Sequence, residues 1–218
     1  MSKRARDDAP DARAPPPERE ALVAWLLSCG CVSVSGVEIR ASTEAGSGLG
    51  MFARAAIEPR GVIARLPQRC VLTAQKAKVS ELGRAVLAQP PGGAPRCSDE
   101  LLLLTWMAIG RRDGAHPFHA YLASLPCTAP DAPSWPLRLR LLLRGTSLGV
   151  AVGAARAKLE VEHSALLDAL SGTLPIAQRG ADLEGTRWAA GMYRSRGFPA
   201  ALCPELEAPE PTLEVPPT

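Results

Sequence analysis

The sequence contains no asparagine among its 218 residues, and its aromatic residues are limited to four Trp, three Phe and two Tyr. The lack of Asn excludes any chemistry for which this chain itself would supply an Asn side chain. The scarcity of aromatic residues predicts a core built mainly from Leu, Val, Ile and Ala. With 46% hydrophobic and 22% charged residues, the composition excludes a wholly disordered chain.

Long apolar runs and a strong charge excess are also lacking. The longest apolar run, residues 101–109, is interrupted only by Thr105 and is far shorter than the roughly 20 residues that cross a bilayer. The net charge of +3 is too small to indicate nucleic-acid or membrane binding. Residues 1–8 have no apolar stretch behind their basic residues, so no secretion signal is predicted. We therefore expect no nucleic acid and no membrane as partners, reduced thiols at the six Cys, and a cytoplasmic or nuclear protein.

Both ends of the chain have the composition of unstructured tails. Residues 1–17 mix charged residues with proline, and residues 197–218 form an acidic, proline-rich tail without Lys or Arg. The basic residues 3–6 fit either a nuclear-import patch or an ordinary solvated tail, and the second interpretation is favoured. The predicted folded part therefore covers residues 18–196.

Residues 18–74 predict a helix followed by a small antiparallel β unit. Apolar residues at i, i+3, i+4 and i+7 precede Gly30, which supplies the left-handed stop of the helix. Residues 32–73 then alternate between extended and turn-forming segments, with short strands predicted in the first part and at 51–53, 61–66 and 70–73.

Residues 75–196 are predicted to be mainly helical. Ser98 with two following acids is a good helix start, and the apolar run after it predicts a central buried helix. Leu and Arg alternate near residue 140, which fits a basic membrane face or, with more support, a core helix with three solvated arginines. The fold class is thus α+β, with further helices predicted over 73–87, 136–144, 147–171 and 183–194.

The glycine-rich segment 46–50 is the most informative local motif. Three glycines in five residues permit positive φ and close approach of a ligand to the backbone. A dinucleotide-binding loop would need a long helix after it, and a phosphate loop would need Gly-Lys-Ser/Thr, which is absent. The segment could also be a plain hairpin turn, and this alternative stays open.

No metal site is predicted, because His116 and His119 lack cysteine pairs at zinc-binding spacing.

Taken in order, several segments resemble a SET domain. Its opening is matched by residues 37–39, 46–53, 57–67 and 71–73. Residues 118–126, Trp135, 143–146 and 188–196 resemble the helical insert of one SET branch. That branch contains the plant Rubisco large-subunit lysine methyltransferases and the actin-histidine methyltransferase. The resemblance implies an S-adenosyl-L-methionine pocket between the two halves of the SET fold, with the substrate amine entering from the opposite side.

The resemblance also implies roles for individual residues. Gly48 and Leu49 match the loop that passes the cofactor. Gly61, Val62 and Ile63 match a segment whose backbone contacts the cofactor. Arg196 matches an arginine near the methionyl carboxylate, a role that suits a guanidinium because it binds carboxylates bidentately.

The chain departs from the family pattern in its second half. The family carries an Asn-His motif and a later catalytic Tyr, but this chain has no Asn, no His after His163 and no Tyr after Tyr193. No catalytic residue is therefore assigned.

The resemblance implies an S-adenosylmethionine-dependent protein-lysine N-methyltransferase that is truncated before these elements. Its substrate would be a protein bearing lysine or histidine. Alternatives are an inactive helical protein-binding module derived from that family, and an unrelated helical protein with a small β cap. The oligomeric state stays open.

Overall fold

The computed structural model describes residues 17–33, 36–42, 49–89, 97–176 and 178–198. Over these residues the chain is mainly helical with two short antiparallel strand pairs, which confirms the α+β class. The strands are Val32–Ser33 (β1), Val37–Ala41 (β2), Leu49–Ala53 (β3) and Ala64–Arg65 (β4). The helices are Pro17–Ser28 (α1), Ala74–Val79 (α2), Glu81–Leu87 (α3), Asp99–Arg112 (α4), His119–Ala123 (α5), Leu137–Leu141 (α6), Ser147–Leu170 (α7) and Leu183–Arg196 (α8).

The two predicted tails lie almost entirely outside the described residues. Pro17 is an exception, because it falls within the predicted first tail but is the first residue of α1. Proline is common at this position because its fixed φ suits a helix and its missing N–H would have no partner there. The predicted left-handed stop of α1 is confirmed, because Gly30 has a φ of 67°.

The β unit consists of two separate strand pairs. β2 pairs antiparallel with β3 over five residue pairs, and β1 pairs antiparallel with β4 over two. The strand predicted over 61–66 is shortened to β4, because the chain turns just before it. The Gly61 N–H donates to the Glu58 carbonyl at 2.8 Å, and Arg60 has a φ of 64°.

The strand predicted over 70–73 is wrong. Gln68–Cys70 forms a 3-10 turn, in which the Cys70 N–H donates to the Pro67 carbonyl at 2.9 Å. Proline has no N–H to donate to a strand partner, so a turn that begins at Pro67 ends the pairing of β4.

The predicted central helix is confirmed as α4. The Ser98 hydroxyl accepts a hydrogen bond from the Leu101 N–H at 3.1 Å, which caps the helix as expected. Every residue from Leu101 to Gly110 is buried. α2, α5 and α8 pack around α4, so that its apolar residues form the centre of the core.

The helix predicted over 73–87 is instead two helices that meet at Ser80. The Ser80 hydroxyl accepts from the Gly83 N–H at 3.2 Å and donates to the Ala77 carbonyl at 2.6 Å. It therefore caps the start of α3 and satisfies the end of α2. Gly83 comes so close to the carbonyl of Lys78 that a Cβ would not fit there.

The prediction of a core helix over 136–144 is wrong. α6 has only five residues, Leu137 is 61% exposed, and Leu142 after its end is 76% exposed. The reason is the alternation of Leu and Arg. A spacing of two residues distributes leucines around a helix, so no single apolar stripe can face the core. The last two predicted helices are confirmed as α7 and α8, with α8 extending to Arg196.

α1 packs on the helical part of the protein. The Trp25 indole N–H donates to the Pro117 carbonyl at 2.8 Å. Its ring stacks on Tyr121 and lies 5.7 Å from the Phe118 ring, between centroids. In the described part of the chain, no helix combines the length and apolar character needed to cross a membrane.

We predict that Gly110→Ala destabilises the protein although alanine is the better helix former. A Cβ at Gly110 would lie 2.5 Å from His116 Nδ1 and 2.6 Å from Leu122 Cδ1. Overpacking of this kind costs about 1–3 kcal/mol, which exceeds the gain of about 1 kcal/mol in helix propensity. Urea unfolding followed by circular dichroism measures the change.

Gly153→Ala is the matched control, because a Cβ at this position in α7 would meet no atom within 4 Å. It should raise the free energy of unfolding. A Gly110→Ala protein as stable as Gly153→Ala would contradict the packing described for α4.

Candidate active site

An open cleft lies between the start of β2 and the turn that precedes β4. Its volume is about 470 Å³, which includes solvent at its mouth. Three of the residues predicted to contact a cofactor, Gly61, Val62 and Ile63, line it together. Four further lining residues were not predicted as site residues: Val37, Ala56, Ile57 and Glu58. Three of these, Val37, Ile57 and Glu58, lie in segments that resemble the SET opening, and that resemblance is the signal by which they could be found.

The tight turn at Gly61 leaves residues 61–63 exposed at the cleft. Residues 61–63 belong to no helix or strand, and the side chains of Val62 and Ile63 are 45% and 46% exposed. A Cβ at Gly61 would lie 2.9 Å from the Glu58 carbonyl oxygen, so the tight turn favours glycine. The cleft therefore presents both backbone and apolar side chains to a ligand.

The glycine-rich segment is only partly described. Gly48 lies outside the described residues, and Leu49 is the first residue of β3. Leu49 pairs with Ala41, whereas Val37, which lines the cleft, pairs with Ala53 at the other end of the same ladder. Four residues of strand correspond to about 13 Å, so Leu49 lies at some distance from the cleft.

Arg196 lies in the last turn of α8, outside the group of residues that line the cleft. Its Nη1 donates to the Ser195 hydroxyl at 2.9 Å and lies 3.2 Å from the Met192 sulfur. Burial raises the pKa of Tyr121, and the positive charge of Arg196 acts on that pKa in the opposite direction. Tyr121 is therefore an electrostatic neighbour of Arg196. It lies in the segment 118–126 that resembles the helical insert, and the sequence predicts no role for it.

His116 is a buried histidine away from the cleft. Burial lowers its pKa to about 4, although the charge of Asp113 opposes this shift. Its Nδ1 accepts from the Phe118 N–H at 3.2 Å, and its ring centroid lies 4.6 Å from that of Trp106. Its Nε2 is buried and has no hydrogen-bond partner. A neutral imidazole held in this way fills the core next to Gly110.

The cysteines in the described part of the chain are free thiols, and Cys203 lies outside that part. The pKa of Cys70 is raised to about 12, first by burial and then by its neighbour Cys29. Burial also raises the pKa of Cys97 to about 11. High pKa values make thiols poor nucleophiles at neutral pH. Among the residues that the structure describes, no group of three or more His, Cys, Asp or Glu side chains is placed to hold a metal ion.

Comparison with known proteins rests on structure, because no family model and no curated protein sequence matches the chain. The chain is similar to Rubisco LSMT bound to sinefungin and monomethyllysine, with a TM-score of 0.70 and 21% identity over 84% of this chain and 41% of that one. It is similar to Rubisco LSMT bound to AdoMet, with a TM-score of 0.69 and 22% identity over 85% of this chain and 42% of that one. The SET domain of LSMT bound to lysine and AdoHcy matches with a TM-score of 0.67 and 22% identity, over 84% and 39% of the two chains.

These similarities show that the chain has the fold of part of a SET-domain methyltransferase. It spans about two fifths of the length of the solved chains that it matches. The fold that the sequence resemblance implied is therefore confirmed.

We predict that lowering the pH destabilises the folded protein, because the buried imidazole of His116 resists protonation. Its pKa is 6.5 in the unfolded chain and about 4 in the folded one, so the unfolded chain binds more protons between these values. The free energy of unfolding should therefore fall as the pH is lowered from 6.5 to about 4. Urea unfolding at several pH values, compared with His116→Gln, measures this. Equal slopes against pH for the two proteins would contradict the burial of a neutral imidazole.

Proposed function

We propose that this chain forms the first SET portion and the helical insert of an S-adenosylmethionine-dependent protein-lysine N-methyltransferase. The observation that carries the proposal is the fold, shared with solved chains described as bound to AdoMet, AdoHcy, sinefungin, lysine or methyllysine. The order of the motifs along the chain supports the same assignment. The acceptor would be a protein lysine or, as in one member of the resembling branch, a histidine.

The cleft beside residues 61–63 fits one end of such a cofactor. Ligand pockets typically measure about 300–1,000 Å³ and combine apolar walls with a few polar groups. This cleft has five aliphatic or alanine side chains besides the backbone of Gly61, and one carboxylate, that of Glu58. We assign cofactor contacts to Gly61, Val62 and Ile63, and also to Gly48 and Leu49 of the glycine-rich segment.

Arg196 would bind the carboxylate at the other end of the cofactor. Its guanidinium lies at the end of α8 and is exposed, so it is accessible to an anion. A charge-assisted hydrogen bond of this kind contributes about 1.5–3 kcal/mol. Because Arg196 does not line the cleft, this assignment requires the ligand to reach from the turn at 61–63 toward α8.

The bound cofactor would supply a methyl group on a positively charged sulfonium. What the protein contributes to such a displacement is chiefly orientation of donor and acceptor, which supplies roughly 7–11 kcal/mol of the barrier in well-aligned systems. The residues assigned above hold the donor. The acceptor amine must be neutral before attack, and no side chain of these 218 residues is assigned as its base.

An inactive binding module is a second candidate. Within these 218 residues there is no Asn, no His after His163 and no Tyr after Tyr193 that could take part in catalysis. In the resembling family these residue types carry the second half of the active site. Both candidates contain the same cleft, so cofactor binding by these 218 residues does not distinguish them.

We predict that filling the cleft weakens binding of S-adenosylhomocysteine. Val62→Trp places an indole where a side chain is already 45% exposed, so the fold tolerates it while the cleft is blocked. Arg196→Gln should raise the Kd about tenfold or more, because it removes a charged hydrogen bond to the carboxylate. Equilibrium dialysis with radiolabelled ligand measures both effects.

Leu87→Trp and Arg84→Gln on α3 are the matched controls, since Leu87 is 72% exposed and both positions are separate from the cleft. They should leave the Kd unchanged. Binding that is insensitive to Val62→Trp and Arg196→Gln would refute the assigned site, and the absence of any binding would refute the proposed function.

We predict negligible methyl transfer by the 218-residue chain alone. The protein is incubated with methyl-labelled cofactor and candidate substrate proteins, and label in protein is counted after electrophoresis. Cofactor binding without transfer is the expected result. Turnover of about 1 per second or more, which is ordinary for enzymes, would show that the chain supplies its own catalytic groups.

A further inference from the structure

A mixed apolar and basic surface surrounds α6 and the start of α7. All residues from 135 to 151 are exposed or half-buried, and Val152 is the first buried residue after them. Isolated exposed leucines are common, but six exposed leucine or valine side chains within residues 137–150 indicate an interaction surface. We call this surface the leucine–arginine face, and define it by Leu137, Leu139, Leu141, Leu142, Leu148, Val150, Arg138, Arg140 and Arg144.

The leucine–arginine face lies in a part of the chain that carries basic residues and no acidic ones. From residue 132 to residue 159 there is no Asp or Glu, whereas five residues are basic. The acids that flank this stretch are engaged by other arginines: Asp131 accepts from Arg194, and Glu160 pairs with Arg187 and Arg156. The face therefore favours an occupant that carries both leucines and carboxylates.

The end of the same chain has this complementary composition. Residues 199–218 contain four Glu and no Lys or Arg, and they include three Leu and one Val. The acids are interspersed with the apolar residues, as the arginines are with the leucines of the face. This segment thus matches the face in charge and in apolar character.

The end of α8, which precedes this segment in the chain, lies close to the turn that leads into the face. The Arg194 Nε donates to the Asp131 carboxylate at 2.8 Å, which joins the end of α8 to the turn that leads into α6. Gly191 approaches the same turn so closely that a Cβ would lie 3.1 Å from the Ser134 hydroxyl. Twenty residues span up to about 66 Å when extended, so residues 199–218 can cover the whole face.

We propose that residues 199–218 bind the leucine–arginine face of their own chain. Attachment to α8 gives this segment an effective concentration in the millimolar range, so weak contacts suffice to hold it. Its leucines cover Leu141 and Leu142, and its glutamates pair with Arg138 and Arg144. This proposal is independent of the methyltransferase assignment, because it involves neither the cleft nor Arg196.

Hydrogen exchange of the full chain tests the proposal. Amides of residues 137–151 are compared between the natural chain and a full-length variant that carries Glu205→Gln, Glu207→Gln, Glu210→Gln and Glu214→Gln. Exchange should become about tenfold faster in the variant, and high salt should reproduce part of the effect in the natural chain. Equal exchange in the two proteins would overturn the proposal. Protection that disappears on dilution would also overturn it, because it would show a second copy on the face.

A cross-linking experiment locates the segment directly. The natural Cys203 is tested for disulfide formation with Leu142→Cys or with the control Val161→Cys, whose native side chains are 76% and 70% exposed. Glutathione disulfide is the oxidant: two protein thiols become one disulfide, and each glutathione disulfide yields two glutathione thiols. Mass spectrometry after proteolysis should find the link to position 142 at least several times more often than the link to position 161.

Charge variants complete this test. Arg138→Gln with Arg144→Gln should remove the preference for position 142, whereas Arg60→Gln with Arg65→Gln in the β unit should preserve it. Equal linking of Cys203 to positions 142 and 161 in the natural background would overturn the proposal.

Discussion

Complete burial of α4 is the constraint on which the helical part of the structure depends. Ten consecutive residues of this helix, from Leu101 to Gly110, are buried, so neighbours must cover every side of it. A helix that is apolar on all sides cannot lie at a surface. α2, α5 and α8 supply those neighbours, and small residues set how closely they approach. At Gly110 the ring of His116 occupies the space that a side chain would need.

The same packing determines where the end of α8 lies. Trp188 of α8 is buried and contacts both α4 and the loop that follows α5. Its indole N–H donates to the Pro126 carbonyl of that loop at 2.8 Å, and the guanidinium of Arg111 in α4 lies 4.3 Å from its ring centroid. Gly191 is pressed against the turn at Ser134. These two contacts orient the last turn of α8, so the position of Arg196 follows from the core rather than from the exposed residues around it.

The sequence was sufficient to predict the elements whose signal is local. Ser98 as a cap, the apolar run of α4 and the stop at Gly30 each depend on neighbouring residues, and the structure has all three. The errors at 70–73 and 136–144 arose because apolar residues were interpreted as strand or core positions against two local signals. Pro67 begins a turn, and the two-residue spacing of the leucines leaves no single apolar stripe on a helix. Which residues share a cleft does depend on distant parts of the chain, so the sequence could suggest Gly61, Val62 and Ile63 but not that Val37 lines the same cleft.

The charges around the proposed site explain why donor and product would be held differently. Glu58 lines the cleft, and Arg196 lies at the end of α8. Under the proposed function, the Glu58 carboxylate would attract the positive sulfonium and the Arg196 guanidinium would attract the methionyl carboxylate, so each residue would act on a different charge of the same ligand. The product of such a reaction would be a neutral thioether that keeps its carboxylate. Glu58 would therefore attract only the donor, whereas Arg196 would attract donor and product alike.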